Sequence, residues 1–297
     1  MNYKITHVTT YQYSSPVRVC HNYVMLTPRE EFPVECHSYR LVIRPTPHVA
    51  GRRKDSFGNT VHSFSIEENH KQLSVTATSR VTVSPRDLPK PEETPAWETV
   101  QQGIVNKEDR LWLEACQFVY DSPRIRRSNE FQAFAAKSFT KDRPILEAAR
   151  DLTTRIHKHF KYDSRATTVN TTPEDSFKLA LGVCQDFAHV QVACLRSIGL
   201  PARYVSGYLR TIPPPGKPRL IGADQSHAWL SLYCGELGWI DCDPTNNCFA
   251  GTDHIPIAWG RDYSDVAPIK GVFLGGGEHQ LVVSVDVCPL DEPVQVA

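Results

Sequence analysis

The sequence lacks a net charge: 33 Lys and Arg residues balance 33 Asp and Glu over 297 positions. A balanced chain gives no electrostatic reason to expect nucleic acid or an anionic membrane surface as a partner. No apolar run is long enough to span a bilayer. The opening Met1-Asn2-Tyr3-Lys4-Ile5-Thr6-His7 has no apolar core of a secretory signal. Framework cysteine spacing is missing too. Nine cysteines, an odd number, argue for free thiols in a reducing compartment, so cytoplasm is the expected location. There is no Asp-rich loop with the alternating oxygen ligands of a calcium site, no internal repeat and no low-complexity segment. What remains, 40% hydrophobic and 22% charged residues, describes a globular protein with room for two domains.

Residues 1–84 read as β structure. Leu73, Val75, Ala77, Val81 and Val83 alternate as in a half-buried strand. Further strands are expected over Tyr3–Tyr13, Val17–Leu26, Val34–Ile43 and Val61–Ile66, with a turn at Gly58-Asn59. Several strands without an intervening helix predict an antiparallel β-sandwich domain that contributes no catalytic residue. Its histidines, His21, His37, His48 and His62, do not have metal-ligand spacing. Pro85, Pro89, Pro91 and Pro95 mark a linker over 85–95, so the second domain is expected to span 96–297. Helices are predicted over Arg110–Tyr120, Glu130–Phe139 and from Pro144 to Phe160, then from a Thr172 N-cap with Pro173 at its first position. Strands follow at Ala202–Arg210, His227–Tyr233 and Trp239–Asp243, the first two joined by a long connection, Thr211–Gln225. Alternating Leu281, Val283, Val285 and Val287 predict a last strand closing a sheet of the second domain.

Between Gly182 and Gly199, apolar Phe187, Val190, Cys194, Leu195 and Ile198 recur at helical spacing, and Pro201 ends the pattern. Cys184 therefore falls in the first turn, where unpaired N–H groups and the helix dipole favour a thiolate. A cysteine nucleophile needs a base, and the base needs an orienting group. His189 is nearest in sequence but points away along the helix. His227 is the better candidate. If Gly235-Glu236-Leu237 form a three-residue turn, Cys234 pairs with Gly238 and Trp229 lies opposite Asp243. His227 and Asp243 then share a face within side-chain reach, with Asp241 one step further away. A four-residue turn would break this arrangement. A zinc site from Cys234, Cys242, Cys248 and His254 has spacings unlike structural zinc patterns.

The blocks Gly182-Val183-Cys184-Gln185-Asp186-Phe187-Ala188-His189, His227-Ala228-Trp229 and Gly238-Trp239 through Asp243-Pro244-Thr245 resemble the bacterial transglutaminase-like superfamily. The N-terminal β region is similar to the domain that precedes the core in bacterial members. The resemblance implies an α+β protein with a papain-like transglutaminase core, its nucleophile helix packed on an antiparallel sheet. It implies Cys184 as nucleophile, His227 as general base and acid, and Asp243 as the orienting carboxylate, with no cofactor and no metal. Gln185 becomes a candidate oxyanion donor beside the Cys184 N–H. Trp229 is a candidate shield for the Cys–His pair, or core packing. Asp262 and Tyr263 are expected to border the site by resemblance. The chemistry implied is acyl transfer on a protein or peptide substrate, with water or an amine as acceptor. The rival reading is a transglutaminase-like binding or scaffold module.

Overall fold

The computed structural model describes residues 1–106, 110–212, 224 and 226–291. The chain opens with a 23-residue strand, β1 (Asn2–Val24), then β2 (Val34–Arg44), β3 (Val49–Lys54), β4 (Thr60–Ile66) and β5 (His70–Val83). Helices follow the proline-rich segment: α1 (Trp97–Asn106), α2 (Arg110–Cys116), α3 (Asn129–Ala136) and α4 (Ile145–His159). Next come β6 (Lys161–Tyr162), α5 (Pro173–Leu179), β7 (Leu181–Gly182) and α6 (Cys184–Ser197). Strands β8 (Ala202–Leu209), β9 (Ser226–Tyr233), β10 (Trp239–Asp243), β11 (Cys248–Phe249) and β12 (His254–Gly260) precede a single helical turn, α7 (Tyr263–Val266). Strands β13 (Ile269–Gly275) and β14 (His279–Pro289) complete the fold. Of the expected Thr211–Gln225 connection, all but Thr211, Ile212 and Asp224 lies outside the described residues.

Among the described residues the N-terminal strands form, with β13 and β14, one seven-stranded antiparallel sheet that β1 runs through. The segments expected as two strands, Tyr3–Tyr13 and Val17–Leu26, are halves of β1, separated by a register shift between Gln12 and Val17. The first half pairs with β5 and β14, the second with β4 and β13. Val17, Cys20 and Val24 of β1 share one core with Phe64 and Ile66 of β4 and Leu73, Val75 and Ala77 of β5. The terminal strands therefore differ from expectation: they extend the N-terminal sheet instead of closing one in the second domain. Two physical reasons apply. A strand as long as β1 has hydrogen-bonding groups along both edges that need partners. The alternating Val285 and Val287 also continue the buried surface formed by Tyr3, Ile5, Val81 and Val83.

The second sheet has the order β11-β10-β9-β8-β12, antiparallel throughout. Helix α6 packs on β8 and β9 and is enclosed on its other sides by α3, α4 and α5. Every residue from Gln185 to Arg196 is buried, so the helix is central, where the sequence pattern had marked a single stripe. Arg196, 1% exposed, is accommodated because its guanidinium donates to the carbonyls of Ala202, Tyr120 and Arg261 and to Ser122 Oγ. The α5 start is as predicted: Thr172 Oγ1 accepts from Asp175 N at 3.1 Å, with Pro173 next in line. Among the described residues no helix is long and apolar enough to cross a membrane.

A chain truncated after Pro268 leaves both halves of β1 with an open edge. Limited proteolysis is expected to cut residues 1–84 of this variant rapidly while the full chain resists. Equal protection in the two would contradict the role assigned to β13 and β14.

Candidate active site

Helix α6 begins with its own cap. Asp186 Oδ2 accepts from the Val183 backbone N–H at 2.8 Å and from Thr167 Oγ1 at 2.7 Å. This folded-back carboxylate explains Gly182: a Cβ there would lie 2.5 Å from Asp186 Oδ2. Cys184 follows as the first helical residue. Its N–H has no acceptor within the helix, as at any helix start.

The opposing strands have the register that the candidate constellation needs. Cys234 N donates to Gly238 O at 2.8 Å, and Ser231 pairs with Asp241. The turn is Gly235–Leu237, with φ of 66° at Gly235 and 68° at Gly238, conformations that favour glycine. His227 Nε2 donates to Asp243 Oδ2 at 2.7 Å, and His227 and Cys184 line the same cleft. Cys184, His227 and Asp243 are thus brought together from α6, β9 and β10.

Asp243 is fully buried, and its charge is matched by a set of donors. Besides His227, Oδ2 accepts from Asn246 Nδ2 at 2.7 Å and His254 Nε2 at 3.0 Å. Oδ1 accepts from the backbone N–H groups of Thr245 at 2.9 Å and Asn246 at 3.1 Å. Burial alone would raise the carboxyl pKa; the donors, His227 foremost, hold it well below the usual carboxylate range. For His227, burial works against the imidazolium, but Asp243 and Cys184 outweigh it and raise the pKa to about 9. The His–Asp pair therefore stabilises the folded state fully below the ordinary imidazole pKa, and that contribution fades as pH rises through about 9. Asn246 and His254 were not anticipated. Asn246 was accessible from the Asp243-Pro244-Thr245-Asn246 turn, because Asp often accepts from N–H groups two and three residues on. His254, eleven residues away, has no local signal.

The remaining predicted residues divide. Gln185 lines the cleft, and its Nε2 donates to Val169 O at 3.3 Å. Tyr263 lines it too, with its N–H held by His189 Nε2 at 3.2 Å. Burial pushes His189 down to about 3, so it is a neutral core acceptor. Trp229 is fully buried, near-parallel to the His227 ring at 5.9 Å between centroids. Its Nε1–H donates to Asp241 Oδ2 at 2.8 Å, and Ser231 Oγ also donates to Asp241. Asp262 does not reach the cleft. It caps α7 through Ser264 N and accepts from Arg124 N, both at 2.8 Å.

The cleft beside Cys184 and His227 measures about 290 Å³. One wall was missed in the sequence. His7, Thr9 and Tyr11 of β1, with Leu281 and Val283 of β14, border the same space. Side chains this distant in the chain meet only because β1 and β14 pair. Cys234, Cys242, Cys248 and His254 do not form a cluster among the described residues. His227, Asp243 and His254 do, with one potential ligand atom each, all within 4.8 Å of one another. Hydrogen bonds to Asp243 occupy these atoms.

Two family models match the chain: the bacterial transglutaminase-like N-terminal region over residues 3–82, and the transglutaminase-like superfamily over residues 132–244. An uncharacterised protein of Mycobacterium tuberculosis is 38% identical over 298 residues, covering 97% of this chain and 93% of that protein. The chain belongs to the transglutaminase-like superfamily. A second relative, an uncharacterised protein of Mycobacterium leprae, is 31% identical over 291 residues, covering 97% of this chain and 98% of that protein. The fold is that of a candidate cysteine protease from Cytophaga hutchinsonii: TM-score 0.75 and 24% identity, covering 99% of this chain and 92% of that one. A protein-glutamine gamma-glutamyltransferase of Pseudomonas aeruginosa is 33% identical over 92 residues, 30% of this chain and 14% of that protein.

Asp241 and Asp243, two residues apart, have different surroundings, and their substitution should separate. Asp241→Asn weakens acceptors for Trp229 and Ser231 and is expected to lower stability by about 1–3 kcal/mol while leaving the Cys184–His227–Asp243 contacts in place. A thermal melt with unchanged midpoint would contradict this.

Proposed function

We propose that the protein is a cysteine-dependent acyl-transfer enzyme acting on amide or peptide bonds, with Cys184 as nucleophile, His227 as base and acid, and Asp243 as orienting group. The observation that carries the reading is the arrangement of His227. One nitrogen is bonded to a buried, fully hydrogen-bonded carboxylate at 2.7 Å, and the ring shares its cleft with a cysteine at a helix start. The Cys184 thiolate attacks the carbonyl carbon. The developing oxyanion faces the Cys184 N–H, and Gln185 Nε2 keeps a second N–H for the same purpose after its bond to Val169. His227 passes its proton to the departing amine or ammonia, leaving an acyl group on Cys184. His227 then takes a proton from water or an amine, which attacks the thioester and restores the thiol.

A glutamine side chain in a protein or peptide is the favoured acyl donor, and the partial likeness to a protein-glutamine gamma-glutamyltransferase supports it. Hydrolysis is the favoured outcome, because water at about 55 M prevails unless a site excludes it or binds the amine. Nine unpaired cysteines support action in a reducing compartment such as the cytoplasm. A pure binding module would have no use for an ionised, donor-saturated Asp243 aligned with His227.

The test is release of ammonia from a glutamine-containing peptide, with and without a primary amine and without added calcium. Asp243→Asn is expected to lower turnover by roughly two to four powers of ten, as when the orienting carboxylate of a triad is lost. Turnover by Asp243→Asn close to that of the wild type would overturn the reading. Amine incorporation with little free acid formed would overturn the preference for hydrolysis. Tyr11→Ala and Val283→Ala, at the cleft wall away from Cys184, are expected to raise KM several-fold with kcat nearly unchanged. A fall in kcat at constant KM would argue against a substrate-binding wall.

A further inference from the structure

We infer that His254 is a positioning residue that acts through Asp243, drawing off part of the carboxylate charge so that His227 can give up its proton during turnover. The inference rests on the Cys184–His227–Asp243 reading above. His254 Nδ1 accepts from the Gly251 backbone N–H at 3.3 Å. An amide N–H can only donate, so that ring nitrogen carries no proton and Nε2 carries one. Nε2–H therefore donates to Asp243 Oδ2, the same oxygen that takes the His227 hydrogen bond. His254 is 7% exposed and its ring meets Trp229 edge-on at 5.3 Å, so its orientation is fixed by packing.

His254 does not face the cleft beside Cys184. It borders a separate cavity of about 320 Å³, with Trp239, Arg203 and Trp259. Its link to the site is the hydrogen bond to Asp243 Oδ2, so its effect on turnover runs through Asp243. Removing His254 does not free the carboxylate, because Thr245 N, Asn246 N and Asn246 Nδ2 still hold it. The consequence is electrostatic. With one fewer donor on Oδ2, more negative charge faces His227 and the imidazolium is held more firmly. A more firmly held proton is a slower one to deliver to a leaving group.

The other titratable groups around the cluster are fixed in roles of their own. Cys184 at the start of α6 lines the cleft with His227, and Asp186 is turned back to cap that helix. Tyr204 of β8 borders the cleft, and Asp241 of β10 is engaged by Trp229 and Ser231. Cys248 of β11 is pushed up to about 11 by burial and by Asp243. His157 of α4 contacts the Pro244 and Thr245 carbonyls.

The experiment measures the pH profile of Cys184 alkylation by iodoacetamide, followed by peptide mass spectrometry, alongside kcat and KM for a glutamine-containing peptide. In the wild type, a step in the profile marks loss of the His227 proton, and His227→Ala removes it. His254→Leu is expected to move that step upward by about half a unit to one unit, the scale of one hydrogen bond felt through its acceptor. In the same variant kcat should fall about tenfold with KM unchanged. His254→Gln, which can donate again, should restore part of both. If the leucine variant fails to fold, His254→Asn, too short to donate, carries the same expectation. A step that stays in place or moves downward in a folded variant overturns the inference. Absence of a His227-dependent step in the wild type would instead overturn the reading of Cys184 and His227 as partners.

Discussion

A carboxylate removed from water must be given hydrogen-bond donors, and Asp243 governs much of this molecule through that requirement. It is fully buried and takes five hydrogen bonds, two from backbone amides, one from an asparagine side chain and two from imidazoles. The donors come from β9, from the turn after β10 and from the start of β12. Satisfying one charge thereby fixes where three parts of the sheet meet. It also sets the direction of the His227 ring, and through it the group presented to Cys184. Asp241, two residues earlier, is committed to Trp229 and Ser231 and stabilises the sheet beneath the site.

The N-terminal sheet is part of the cleft and not an appendage to it. β1 lies between β5 and β14 along its first half, and this pairing carries His7, Thr9 and Tyr11 to the space in front of Cys184. Tyr3, Ile5, Val285 and Val287 meanwhile pack against Tyr208, Ile255 and Ile257 of the second sheet. One strand pair therefore both attaches the N-terminal sheet to the core and builds a wall of the binding space. Arg29, from the N-terminal region, stacks on Trp259 at 3.3 Å, and Arg203 of β8 covers the same ring at 3.5 Å.

The parts legible in the sequence were those that local rules decide. Gly235 and Gly238 marked a turn without fixing its length, and once three residues form it the pairing of Ser231 with Asp241 follows from strand geometry. Thr172 and Pro173 announced a helix for the same reason. Cys184, His227 and Asp243 could be named because their sequence blocks resemble those of the transglutaminase-like superfamily, and a three-residue turn would place His227 and Asp243 on one face. What was not legible depends on contacts distant in the chain. Val285 and Val287 read as a strand, but nothing local says which sheet receives it. His254 has the appearance of an ordinary strand-start histidine until the chain folds it onto Asp243. Burial of α6 on every side was likewise hidden, since Gln185, Gln191 and Arg196 are polar and only α3, α4 and α5 enclose them.

The central claim is that an acyl group passes through Cys184. Intact-protein mass spectrometry after mixing with a glutamine-containing peptide and rapid acid quench reads this directly. The account predicts a transient adduct of the peptide mass less ammonia, located on Cys184 among the nine cysteines and missing in Cys184→Ala. Peptide turnover with no such adduct, or an adduct carried by another cysteine, would contradict it.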